Sequence, residues 1–151
     1  ESVHKSFFSY TKNNFKSLLK DKKIKVCFLG IAFKGSPITD DIRGSIIHEF
    51  VDEFHKLKIK NLCAFDNNVK KIDFDRLGLK KFSSLTKSFQ NSDLIIILNN
   101  DNDFKKMKIA HLSKLMNMNA IIYDYWSNFS KKQIKLENNV KYISYGSHKL
   151  R

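Results

Sequence analysis

Lys34 and Arg43 are the residues whose positions speak most directly of chemistry. Both lie in a stretch that runs from Gly30-Ile31-Ala32-Phe33-Lys34-Gly35 to Arg43-Gly44-Ser45, between a short apolar run and a helix-like pattern. A loop at such a junction aims backbone amides and the positive end of a helix at one space, and two cations beside it suit a phosphate. The same residues also read as a turn with solvated basic side chains, and the loop by itself leaves both readings open. It is not a dinucleotide fingerprint. One glycine follows the strand directly, where GxGxxG would be needed, and this argues against a standard NAD cradle. Asp66 closes the next apolar run, at a place where an acid often holds a ribose hydroxyl. Without the glycine motif, a cap on a loop is the better reading of it.

Trp126 follows a further apolar run that ends in Asp124. It could stack on a base or a sugar, or pack over the edge of the core, the commoner fate of a lone tryptophan. The five histidines are isolated from one another, and no nucleophile–base pair can be read from the serines. Cys27 and Cys63 both sit inside apolar runs, which predicts buried, reduced thiols; a disulfide requires their strands to be neighbours and an oxidising compartment. No CxxC and no His/Cys cluster suggests a metal.

These residues need elements to hold them. Residues 24–29, 61–66, 93–98, 120–124 and 140–144 are short apolar runs of the buried, parallel-sheet kind. Between them, helical spacing is expected over 43–57, with Asp40 and Asp41 as caps, over 83–90, over 103–116 and over 129–136, while 67–82 is mixed. Alternating strands and helices predict an α/β fold: a Rossmann-like, doubly wound parallel sheet in three layers, α/β/α, with about five strands. Val26, Phe28, Leu62, Ala64, Ile95, Ile97 and Ile122 are the expected core. Ligands in such folds sit beyond the carboxyl ends of the strands, which here means loops 30–42, 66–70, 99–103 and 124–129.

The bulk numbers agree with one domain. The chain has 151 residues, 42% hydrophobic with 13 Phe, but only five Gly and one Pro, so there is little room for a linker. Residues 1–20 read as an amphipathic connecting helix and 21–151 as the domain. No apolar run approaches the roughly 20 residues of a membrane span, and no apolar signal core follows the basic start, so a cytoplasmic, membrane-free protein is expected. The first residue is Glu1 and not Met, as expected of a processed product or a piece of a longer chain. The net charge of +13 would suit a polyanion, but its lysines are scattered among Asn, Ile and Phe, more like a background composition than a nucleic-acid surface.

The segment KVCFLGIAFKGSPITDDIRGS resembles the opening of the C-terminal, UDP-binding domain of the UDP-glucose/GDP-mannose dehydrogenases, with Gly30, Ala32, Phe33, Lys34, Thr39, Asp41, Arg43 and Ser45 in matching positions. Asp66 is similar to the acid of that family's second-strand turn. Ser92, Asp93 and Phe104 match its next motif, and Asp124 and Asn128 its last. The resemblance covers residues 23 to about 145. It implies a Rossmann-like domain holding the nucleotide end of a UDP-sugar, inside an enzyme that oxidises a UDP-hexose to the uronate for polysaccharide biosynthesis. By this resemblance Phe33 and Lys34 contact the UDP-sugar, and Arg43 reaches toward an NAD cofactor bound mainly by an upstream domain. The catalytic Cys and Lys of the family belong to upstream domains too, so neither Cys27 nor Cys63 is cast as nucleophile, and this chain alone binds no cofactor. The parent's upstream domains are the implied partners, with a homodimer formed through the parent. Gly44 and Ile46 depart from the Glu and Pro common there, and Tyr125-Trp126 from the family's Gly-Arg, whose Arg binds the substrate; Trp126 is a substrate-binding candidate for the stacking it could offer. A non-catalytic binding domain of the same fold, and a basic nucleic-acid-binding protein, are the alternatives.

Overall fold

The structure, a computed structural model, describes residues 16–144. The expected connecting helix falls mostly outside these residues; within them only Leu18–Lys20 form a single 3-10 turn. Six strands make one all-parallel sheet: β1 (Val26–Leu29), β2 (Leu62–Phe65), β3 (Lys80–Lys81), β4 (Leu94–Ile97), β5 (Ile121–Asp124) and β6 (Lys141–Ser144). Their order is β3-β2-β1-β4-β5-β6. The fold is therefore Rossmann-like, as the alternation predicts.

The four strands β1, β2, β4 and β5 are buried along their whole length, which explains why they read as continuous apolar runs and not as alternating ones. Their alternate side chains feed two cores. Val26, Phe28, Leu62, Ala64, Leu94, Ile96 and Tyr123 face helices α1 (Ile47–Lys56) and α2 (Lys71–Leu77). Cys27, Leu29, Cys63, Phe65, Ile95, Ile97 and Ile122 face α3 (Leu85–Phe89), α4 (Asn102–Lys105) and α5 (Ile109–Ser113). All seven residues expected in the core are buried. On the first face Phe28 packs its ring 5.9 Å from both Phe50 and Phe54, which α1 presents one turn apart.

Helix boundaries depart from the sequence expectation at three places. α1 begins at Ile47, not near Arg43, because Gly44 takes a left-handed conformation (φ 71°) that a helix cannot contain. Asp40 and Asp41 therefore do not cap it; the Ser45 hydroxyl accepts from Ile47 N instead. The expected helix over 103–116 is two, α4 and α5, since Lys108 leaves helical dihedrals and lets both Met107 and Ile109 turn into the core. Residues 129–136 form turns, closed where Gln133 Oε1 accepts from Ser130 N and competes with a helix. The mixed stretch 67–82 holds α2, ended by left-handed Gly78, and the short strand β3.

α3 is short and depends on its cap, where the Ser84 hydroxyl accepts from Lys87 N at 3.2 Å. Ser84→Ala is expected to cost about 1 kcal/mol, read as a lower urea midpoint at unchanged slope.

Candidate functional site

α1, which follows β1, and α4, which follows β4, pack on opposite faces of the sheet. The loops after these neighbouring strands therefore diverge and leave a crevice, the usual ligand position in such folds. In this chain the crevice is occupied by the protein itself. Gly30 sits at φ 79° with the Asn99 side chain against its α-carbon, and Asn99 is buried. A few residues on, Gly35 lies against the backbone of Asp101 so closely that a β-carbon there would overlap it.

Most amides at the start of the first loop are already used. Asp66, only 4% exposed, accepts from Ile31 N (2.9 Å), Ala32 N (3.1 Å) and Asn68 N (2.9 Å). Phe33 N donates to the Asp41 carbonyl, and Asn100 Oδ1 accepts from Gly35 N (3.1 Å) and Ser36 N (3.2 Å). Asp66 is thus a loop cap. Side chains from the loops after β2 and β4, together with the Asp41 carbonyl, occupy the amides of Ile31, Ala32, Phe33, Gly35 and Ser36, which leaves them unavailable to a phosphate. The peptide between Ser36 and Pro37 is cis.

What remains at the rim is set by side chains. Phe33 is 45% exposed, and the Lys34 ammonium stands 5.0 Å over its ring. Among the described residues Lys34 Nζ has no hydrogen-bond or ion-pair partner, so its charge is available. Arg43 is placed differently: its side chain is 90% exposed and forked onto Asp41 at 2.8 Å. That pairing holds the Asp41 carboxyl at about 2, below the usual carboxylate range. Arg43 lines a separate cleft of about 610 Å³ with Asp40, His48, Lys70 and Arg76. The charges there are balanced, Lys70 lying 3.9 Å from Asp40 and Arg76 3.7 Å from Asp73.

Trp126 lies at the same end of the sheet and is 44% exposed. Its indole Nε1–H donates to the Leu98 carbonyl at 2.8 Å. The turn that carries it is built on Asp124, which is fully buried and accepts from Trp126 N, from Asn128 N and Nδ2, and from the Tyr142 hydroxyl at 2.6 Å. Burial pushes the Asp124 carboxyl above its ordinary value, and the four hydrogen bonds offset only part of that. Burial and the facing carboxylate raise the Tyr142 phenol well above its ordinary value. Sequence reasoning named Phe33, Lys34 and Trp126 as candidates, and it passed over Asn99, Asn100 and Tyr142. An Asn-Asn pair directly after the most apolar strand was the available signal for the first two.

Cys27 and Cys63 are register partners on adjacent strands, and both are free and buried. Burial pushes the Cys27 thiol up, which makes it a poor nucleophile. Among the described residues no helix is long and apolar enough to cross a membrane.

Comparison with known proteins bears on this geometry. Residues 27–131 match the family described as UDP-glucose/GDP-mannose dehydrogenase family, UDP binding domain. Solved structures with a similar fold include an NDP-N-acetyl-D-galactosaminuronic acid dehydrogenase from Methanosarcina mazei Go1 (TM-score 0.74, 19% identity, covering 95% of this chain and 29% of that one). Others are a UDP-D-ManNAc dehydrogenase from Pyrococcus horikoshii (0.66, 22%, 93% and 29%) and the UDP-N-acetyl-mannosamine dehydrogenase Cap5O from Staphylococcus aureus (0.62, 23%, 94% and 31%). The chain spans less than a third of the length of each. By sequence it is also 31% identical over 144 residues to the thiol:disulfide interchange protein DsbA of Buchnera aphidicola subsp. Schizaphis graminum (strain Sg), covering 82% of this chain and 68% of that protein. Thiol exchange needs an accessible, acidic thiol, commonly in Cys-x-x-Cys. The two cysteines here are far apart in sequence and sealed in the sheet, so the geometry does not support that chemistry.

Proposed function

The chain belongs to the UDP-glucose/GDP-mannose dehydrogenase family, as its UDP-binding domain, and on that premise we propose that it holds a UDP-sugar at the carboxyl rim of its sheet. The enzyme served is an NAD-dependent one that oxidises the hexose to the uronate in the cytoplasm and so supplies polysaccharide synthesis. Residues 21–151 act as the binding domain, with 1–20 as the connector to upstream domains that supply the NAD site, the catalytic groups and the contacts of a homodimer. Phe33, Lys34 and Trp126 are the substrate contacts, and Arg43 stands on the cofactor side.

The observation that carries this reading is the ammonium of Lys34, which has no hydrogen-bond or ion-pair partner among the described residues. The amides of Ile31, Ala32, Phe33, Gly35 and Ser36 are committed to Asp66, Asp41 and Asn100, and Arg43 is paired with Asp41. The diphosphate charge is therefore met by Lys34, which Phe33 holds at the rim through its ring face. A charge-assisted hydrogen bond of this kind is worth about 1.5–3 kcal/mol. Lys34→Ala is expected to weaken UDP binding by roughly tenfold to a hundredfold in isothermal titration, with the unfolding midpoint nearly unchanged. Equal affinities for UDP in the two proteins would remove Lys34 from the site.

A further inference from the structure

The sheet sets two thiols side by side below the rim. Cys27 in β1 and Cys63 in β2 are register partners, both are free, and both turn toward the same core. Neighbouring strands run about 4.8 Å apart, inside the roughly 4.4–6.8 Å that a disulfide spans between α-carbons. The Cys63 sulfur leans toward its partner's strand, where its S–H donates to the Val26 carbonyl at 3.3 Å. The two thiols also lie within hydrogen-bond reach of each other.

Both are buried in the closed sheet, but what covers them differs. Cys27 is flanked by β2 and β4, each four residues long. Cys63 has β1 on one side and on the other the edge strand β3, which is two residues long and meets it at Lys80. Phe82 and Leu85, which follow β3, are only partly buried over the same core. An edge strand this short holds few ladder bonds and opens far more readily than the whole domain unfolds. Its opening bares Cys63 and leaves Cys27 covered. The local charge favours the same sulfur. Lys25 Nζ stands 4.8 Å and Lys80 Nζ 5.2 Å over the Phe82 ring. The bond from Cys27, with these two ammonium groups, holds the Cys63 thiol below its ordinary value, whereas burial pushes that of Cys27 up.

We propose that Cys27 and Cys63 form a disulfide site, reached through β3 and closed by a small-molecule disulfide such as oxidised glutathione. With β3 open, the Cys63 thiolate attacks one sulfur of the oxidant and breaks its S–S bond. The first glutathione leaves as a thiolate and takes up the proton that Cys63 gave. Cys27 then loses its proton and attacks the Cys63 sulfur, and the second glutathione leaves with that proton. Two protein thiols are oxidised and one small disulfide is reduced to two thiols. The product staples β1 to β2 beneath the loops that carry Lys34 and Asp66. It closes within one chain and is distinct from exchange between proteins, which needs a sulfur presented at the surface. In a reducing compartment both groups stay thiols.

The test incubates the 151-residue chain with oxidised glutathione, without denaturant and at low urea, and follows thiol content and mass. Both thiols should disappear together, the mass should fall by two hydrogens, and the oxidised chain should unfold at a higher urea midpoint. The oxidation rate should respond weakly to low urea, as local opening does, and Phe82→Ala should raise it about tenfold. Cys27→Ser should take up one glutathione at Cys63 at least about tenfold faster than Cys63→Ser takes one up at Cys27. A parent chain that keeps its thiols, or gains glutathione or forms dimers in place of the internal bond, would overturn the site. A rate that climbs with the full urea slope of global unfolding, or equal uptake by the two serine variants, would overturn the route through β3.

Discussion

Asp66→Ala is expected to destabilise the domain by roughly 3–5 kcal/mol, a large share of the 5–15 kcal/mol typical of a folded domain. The carboxylate receives the amides of Ile31 and Ala32, both buried, as well as that of Asn68. Alanine removes the acceptor and leaves at least two buried donors without a partner, each costing about 1–3 kcal/mol beyond the lost charge-assisted bonds. Asp66→Asn, which keeps an acceptor oxygen, should recover part of the loss. Urea unfolding of the three proteins measures the effect directly. A cost below about 1 kcal/mol for the alanine variant would mean that the acid is not a structural cap, and would return it to the pool of ligand-binding groups.

Gly35→Ala is expected to act more on binding than on folding. The added methyl overlaps Asp101 N and Cα, which are backbone atoms and cannot rotate aside. The loop must withdraw, breaking the bonds from Gly35 N and Ser36 N to Asn100 and moving Lys34, the preceding residue, away from the rim. Overpacking of this kind costs about 1–3 kcal/mol in stability. UDP affinity should fall by more than about tenfold, since the ammonium is then held at the wrong place. The two effects separate in one experiment, unfolding followed by circular dichroism alongside titration with UDP. An alanine variant that binds UDP like the parent would show that the docking of Gly35 on Asp101 is irrelevant to the site.

The strands were legible because a strand buried on both faces has to be an unbroken apolar run, and β1, β2, β4 and β5 are such runs. β3 was not, since it consists of Lys80 and Lys81 at the edge of the sheet, with its apolar neighbours Leu79 and Phe82 outside it. Helices failed where one residue overrode periodicity, as at Gly44 and Lys108. Among the candidate residues, Lys34 and Trp126 could be named from their places after strand ends, and Phe33 from the family resemblance. What satisfies the loop amides could not, because Asp66 lies 35 residues from Ile31 and Asn100 65 from Gly35. Contacts at such separations are decided by which strands become neighbours, and no local spacing records that.

The position of β1 has a consequence in time. It is made before either of its neighbours, and it pairs with β2 through Cys27 and Cys63 but with β4 through Cys27 and Ile95. The second pairing closes a longer loop of chain and is the slower of the two to find. The half of the sheet bearing β2 and β3 can therefore assemble first, while β1 waits with one side open. When β4 arrives it brings the turn that holds Asn99 and Asn100, and only then do Gly30 and Gly35 acquire the surfaces against which they rest. One strand thus completes both the middle of the sheet and the seat of the loop that bears Lys34.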